Sequence, residues 1–168
     1  MKYFAVSIVI TMFLMGCGNK SSEKSKLEYY NKLESMIVKI NDEIILLDES
    51  IDNEKIDETI FKSEALIATI ETTITDIEKI EKVEETDILK DSLISLLNEY
   101  KLVISNEYSE FLKIKEKSQD TDDSINLEKE EKLYEIAQEK ITNIRDNIDF
   151  ALQDYLKKHN LKDDSYTE

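Results

Sequence analysis

The sequence predicts an all-α protein: an antiparallel up-down-up-down four-helix bundle with long, coiled-coil-like helices. Three observations lead there. The 168 residues include no proline and only two glycines, Gly16 and Gly18, so the stretch from Asn19 to Glu168 lacks the residues that sheet proteins use for tight turns. Apolar residues make up 40% and charged residues 36% of the chain, a composition suited to long amphipathic helices. Apolar positions also recur at steps of three and four through four stretches of similar length, the period of a helix with one buried stripe.

The N-terminal segment has a different character. Lys2 gives a basic start, and Tyr3 to Met15 is a mostly apolar run, shorter than the ~20 helical residues that span a bilayer. It ends in Leu14-Met15-Gly16-Cys17, with a branched apolar residue three positions before the cysteine and a small residue just before it. This resembles the lipobox of bacterial lipoproteins. The resemblance implies a signal peptide over 1–16, cleavage after Gly16, and a diacylglycerol on the Cys17 thiol, often with a further acyl chain such as palmitate on the new amine. Two or three such chains hold a protein stably at a bilayer. The implied location is a bacterial cell membrane or outer membrane, on the side facing away from the cytoplasm. Gly18 rather than aspartate follows the cysteine, which in a cell with two membranes favours the outer one. Residues 17–25 then form the acylated cysteine and a short polar tether.

The helical domain is expected over 26–162, followed by a disordered tail at 163–168. Its first stripe reads Leu27, Tyr30, Leu33, Ile37, Ile40, Ile44, Leu47 and Ile51, and Asp52-Asn53 breaks it. The second helix, from about Ile56 to Lys82, carries Ile60, Ile67, Ile70, Ile74, Ile77 and Ile80. Its Ile and Thr content restricts χ1 and lowers helix propensity, so it should depend most on tertiary burial. Thr86 or Asp87 is a candidate N-cap for the third stripe, Leu89, Leu93, Leu96, Tyr100, Ile104, Tyr108 and Phe111. An acidic loop, Gln119 to Ser124, precedes the fourth, with Leu127, Tyr134, Ala137, Ile141, Ile144, Ile148, Ala151 and Tyr155. Asn160 suits the left-handed residue that ends a helix, with Leu161 packing back onto the last turn. Tyr29 and Tyr166 fall off the stripes and are expected to be exposed. The alternatives are a three-helix arrangement or an extended coiled coil that dimerises, with the turns at 53–57 and 82–86 straightened.

Most chemistry is excluded by residue type. A formal charge of −16 repels nucleic acid, which is bound through clustered Lys and Arg. The only cysteine, Cys17, is assigned to acylation, so no thiol triad is expected. His159 is the only histidine. It stands beside Lys157 and Lys158, where a surface cation complements a helix C-terminus. No glycine loop exists for phosphate, and no Glu-x-x-His pair for a di-iron site. One metal-like pattern occurs, with Asp120, Asp122, Ser124, Glu128 and Glu131 at oxygen-ligand positions of a calcium loop. Ile125 occupies the position where that loop needs glycine, so an acidic solvated connection is expected instead, with no metal site. No cofactor and no catalytic residue are expected.

Beyond the lipobox, Leu89-Lys90-Asp91, Tyr100, Asn106-Glu107-Tyr108 and His159-Asn160-Leu161 resemble positions in short bacterial surface lipoproteins of unknown function, built from a lipobox and four helices. A more distant resemblance is to helical lipoproteins described as cell-wall binding. Both imply a lipid-anchored, non-enzymatic interaction module. Its partners would be the membrane, through Cys17, and a basic protein or cell-envelope component. An alternative is an accessory subunit that binds another protein's helix. Charge suggests a further alternative. The turns at 48–58 and 116–131 hold six acids against one lysine and seven against two, so an acidic tip far from the anchor could bind divalent cations weakly.

Overall fold

The computed structural model describes residues 22–52, 56–83, 88–118 and 124–162. They form four helical rods, with no strand among the described residues. Helix α1 spans Glu23–Asp52 and α2 spans Ile56–Lys79. The third rod is α3, Ile88–Val103, a π-helical segment, Ile104–Tyr108, and α4, Ser109–Ser118. Helix α5 spans Ser124–His159, 36 residues, about 54 Å at 1.5 Å per residue. No helix among the described residues is long and apolar enough to cross a membrane.

Helix ends follow from local chemistry. Helix α1 starts inside the stretch expected to be tether, because Ser22 caps it: the Ser25 backbone N–H donates to Ser22 Oγ at 3.2 Å. This satisfies one of the amides left open at a helix start. At the other end of the chain Asn160 has φ 58°. The Asn160 and Leu161 amides donate to the carbonyls of Lys157 and Leu156 at 3.2 and 2.9 Å, the paired closure expected of a left-handed cap. Leu161 packs against the core as expected.

Helix α2 ends at Lys79 rather than near Lys82. The Lys90 side chain, only 6% exposed, donates from Nζ to the carbonyls of Glu78 and Ile80, both at 2.8 Å. A cation on open C-terminal carbonyls satisfies them and complements the helix dipole. Lys90 thus terminates α2 from the first turn of α3.

The stripes meet in one core of Leu33, Ile37, Ile40, Ile44, Leu66, Ile70, Leu93, Tyr100, Ile141 and Ile148 among others. Several expected core positions are displaced by one residue. In α3 Leu97, not Leu96, is fully buried. In α2, Ile60, Ile67 and Ile74 lie at the core margin, while Thr59, Ser63, Leu66 and Thr73 turn inward. Small residues on that face let α2 approach its neighbours. Leu127, expected in the fourth stripe, is 54% exposed; it sits near the start of α5, at the rim of a shallow depression with Ile51, Phe111 and Tyr134. Tyr29, expected to be exposed, is buried, because it and Tyr30 flank the Tyr155 ring at centroid distances of 6.0 and 6.3 Å.

The π segment repairs a phase mismatch. Tyr108 lies nineteen positions after Leu89, whereas five α turns take about 18 residues. One residue is surplus, and a π turn absorbs one. Tyr108, Phe111 and Leu112 thereby share the buried side with Leu89 and Leu93. The expected caps Thr86 and Asp87, the loop at 119–123, Tyr166 and the tail at 163–168 lie outside the described residues.

Candidate functional site

Two features rise above ordinary packing. One is a polar chain inside the rods, and the other is an apolar groove on their surface.

The polar chain forms where the π segment passes α1 and α5. The Tyr108 hydroxyl donates to Asp48 Oδ1 at 2.5 Å. Gln138 Nε2 donates to the same carboxylate oxygen at 2.8 Å and to the Tyr108 oxygen at 2.7 Å. Three rods therefore share one set of hydrogen bonds. Burial pushes the Tyr108 phenol far above its ordinary value, and the Asp48 carboxylate beside it pushes the same way. The phenol is thus a committed donor. Further along, the Tyr100 hydroxyl donates to Asn41 Oδ1 at 3.3 Å. Burial raises Tyr100 to about 12, against the opposing pull of the Arg145 guanidinium. Charge pairs flank the chain where α4 and the π segment face α5: Lys129 with Glu110 at 2.9 Å, Lys115 with Glu130 at 3.3 Å, and Lys140 with Glu107. Asp48, counted from the sequence among the solvated acids of a tip, is half-buried instead, because Tyr108 and Gln138 draw it inward. This arrangement holds the three rods in register.

The groove lies between the beginning of α3 and the end of α5. It has a volume of about 340 Å³ and is lined mainly by Val83, Ile88, Leu89, Leu96, Phe150 and Tyr155, with Asp154 and Lys158 at its polar edge. Ile88 is 60% exposed and Phe150 71%. These two large exposed apolar side chains share one depression. No periodicity marks the groove, since Ile88 and Phe150 lie off every stripe.

The residues singled out from the sequence are distributed as follows. Gly16, Cys17, Asp120 and Asp122 lie outside the described residues. Ser124 begins α5, and Glu128 and Glu131 are exposed on its first turns. Among the described residues no three His, Cys, Asp or Glu side chains gather as metal ligands. His159, expected at the surface, is half-buried. Its ring packs on Tyr155 at 4.5 Å, and the Lys26 ammonium donates to Nδ1 at 2.8 Å, because the last turn of α5 lies against the first turns of α1.

Comparison with protein-family models, with characterised proteins and with solved structures found no match to this chain.

Proposed function

We propose that this chain is a bacterial lipoprotein, anchored outside the cytoplasm by acyl chains on Cys17, whose helical domain is a non-enzymatic interaction module of the cell envelope. The observation that carries this is the Leu14-Met15-Gly16-Cys17 motif at the end of an apolar run, five residues before the capped start of α1 at Ser22. The helices are ordered up-down-up-down and antiparallel. Support comes from pairing of the first turns of α1 with the last turn of α5 (Lys26 with His159) and of the last turns of α1 with an earlier part of α5 (Asp48 with Gln138). A scaffold fixed by an internal polar chain, with its apolar groove on the outside, fits a module that presents a surface rather than one that performs chemistry.

The test is acylation. Cells grown with an alkyne-tagged fatty acid should label the chain, and Cys17→Ser should abolish both the label and recovery in the membrane fraction. A Cys17→Ser chain that still pellets with membranes would overturn the anchor.

A second reading, an accessory subunit that binds another protein's helix, is favoured by a separate group of exposed apolar residues, Val38, Ile45 and Leu46 on α1. Capture of partners on the intact lipoprotein, repeated with Val38, Ile45 and Leu46 changed to serine, separates the two.

A further inference from the structure

We infer that the α3–α5 groove is a membrane-docking face: Ile88 and Phe150 rest in the interface of the same leaflet that receives the acyl chains of Cys17. This rests on the lipoprotein reading above and adds an orientation to it.

Three observations converge. The first is place. Tyr155 lines the groove and packs on Tyr29, while Lys158, also in the lining, adjoins His159, which meets Lys26. The groove therefore opens at the end where α1 begins. The second is reach. Cys17 precedes Ser22 by five residues, a span of at most ~17 Å even when extended. A chain anchored at Cys17 cannot hold this end far from the headgroups. The third is chemistry. Ile88 and Phe150 are both more exposed than buried. Phe150 lies nine residues before the end of α5, about 13 Å along the helix, so a rod leaning onto this side brings both residues to the surface together. Apolar faces of surface-bound helices sink ~5–10 Å into the headgroup boundary, which accommodates side chains of this size. Exposed lysines stand at the same end among acids such as Glu81, Asp91 and Asp154: Lys82 after α2, and Lys157 and Lys162 at the end of α5. They can snorkel toward lipid phosphates while their stems cover apolar surface. Asp48, Glu49, Asp57, Glu58, Glu128 and Glu131 stand at the opposite ends of these helices, where repulsion from anionic headgroups is screened within about one Debye length, ~8 Å.

The sequence contains no tryptophan, so a single introduced one is an unambiguous reporter. The full acylated chain carrying Phe150→Trp, or Ile88→Trp, is reconstituted into phosphatidylethanolamine–phosphatidylglycerol vesicles whose acyl chains are brominated. The control is Phe61→Trp. Phe61 is as exposed as Phe150 but lies near Leu46, to which its neighbour Lys62 donates, away from the anchored end. The expected result is loss of emission from bromine quenching at 150 and 88, and none at 61. Equal quenching at all three sites, or none at any, in a chain shown to be acylated and vesicle-bound overturns the docking face and leaves the anchor standing. Emission at 150 that is shifted to the blue, unquenched by bromine and accompanied by cross-linked dimers assigns the groove to a second copy, and also overturns it. A chain that is not acylated removes both the anchor and the docking face.

Discussion

The hydroxyl of Tyr108 donates to the carboxylate of Asp48 across sixty positions of sequence, at 2.5 Å. This contact ties the π segment to the last turns of α1, and Gln138 bridges both groups from α5. Hydrophobic stripes alone tolerate sliding by a turn. A polar set with one geometry does not, because any slip leaves a buried donor or acceptor unsatisfied.

The first prediction concerns that set. Tyr108→Phe removes the hydroxyl but leaves the Asp48 carboxylate half-buried with one donor fewer, and should cost about 1–3 kcal/mol. Asp48→Ala in the Tyr108→Phe background should then cost less than it does in the wild-type chain. Urea unfolding of the two single variants and the double variant measures this coupling. Strict additivity would mean that the contact contributes nothing.

The π segment gives a second prediction. Ser105 is exposed within it. Deleting Ser105 removes the surplus residue: Tyr108 then follows Leu89 by eighteen steps of about 100°, five whole turns, so an unbroken α-helix keeps Tyr108, Phe111 and Leu112 on the buried side. The deletion should cost no more than about 1 kcal/mol. Inserting an alanine after Ser105 adds a second surplus residue, which would rotate α4 by ~100° relative to α3 and should cost more than about 3 kcal/mol through lost burial of these side chains. A deletion as damaging as the insertion, read by urea unfolding, would show that the π turn does not set the phase.

Alkaline pH supplies a third. The buried Tyr100 phenol is raised from 10 to about 12, first by burial. A raised value favours the protonated form in the folded chain, so this contribution is fully present below pH 10 and is lost as pH rises from 10 to 12. The loss is about 2–3 kcal/mol from Tyr100, and Tyr108 shifts in the same direction. Denaturant midpoints should be flat below pH 10 and fall steeply above it. Phenolate absorbance should show these two tyrosines ionising only with unfolding. Phenolate from all tyrosines near pH 10, with the fold intact, would contradict this.

The fourth prediction is local. Lys90→Met keeps the apolar stem of a buried side chain and removes the cation that caps Glu78 and Ile80. Amides in the last turn of α2 should exchange faster, with a stability loss of about 1–2 kcal/mol. Helix α2 is the sensitive place to look. Its Thr69, Thr72 and Thr75 hydroxyls bond back to carbonyls four residues earlier, which steadies the side chains without raising helix propensity. Its ends should open before those of α1 or α5. Slowest exchange in α2 would refute its dependence on packing.

The sequence alone determined what is local. Steps of three and four, with neither glycine nor proline after Gly18, were sufficient for the helices, and Asn160 with Leu161 marked the last cap, because period and backbone preference act within a few residues. The Cys17 motif is likewise a local pattern. Tertiary structure decided which of two adjacent apolar residues faces inward. Leu97 replaces Leu96, and Thr59, Ser63 and Thr73 turn in where the isoleucines were expected, since a stripe fixes a direction only to about one residue and the neighbouring helix chooses within it. The π segment escaped notice because Tyr100, Ile104 and Tyr108 look like ordinary steps of four until the phase is carried from Leu89. Asp48 reads as one more acid in an acidic turn, and Lys90 as a surface lysine, until Tyr108 and the end of α2 are brought beside them. Ile88 and Phe150 are stray apolar residues in the sequence. They become one groove only when α3 and α5 lie side by side, since burial and exposure depend on contacts between residues far apart in the chain.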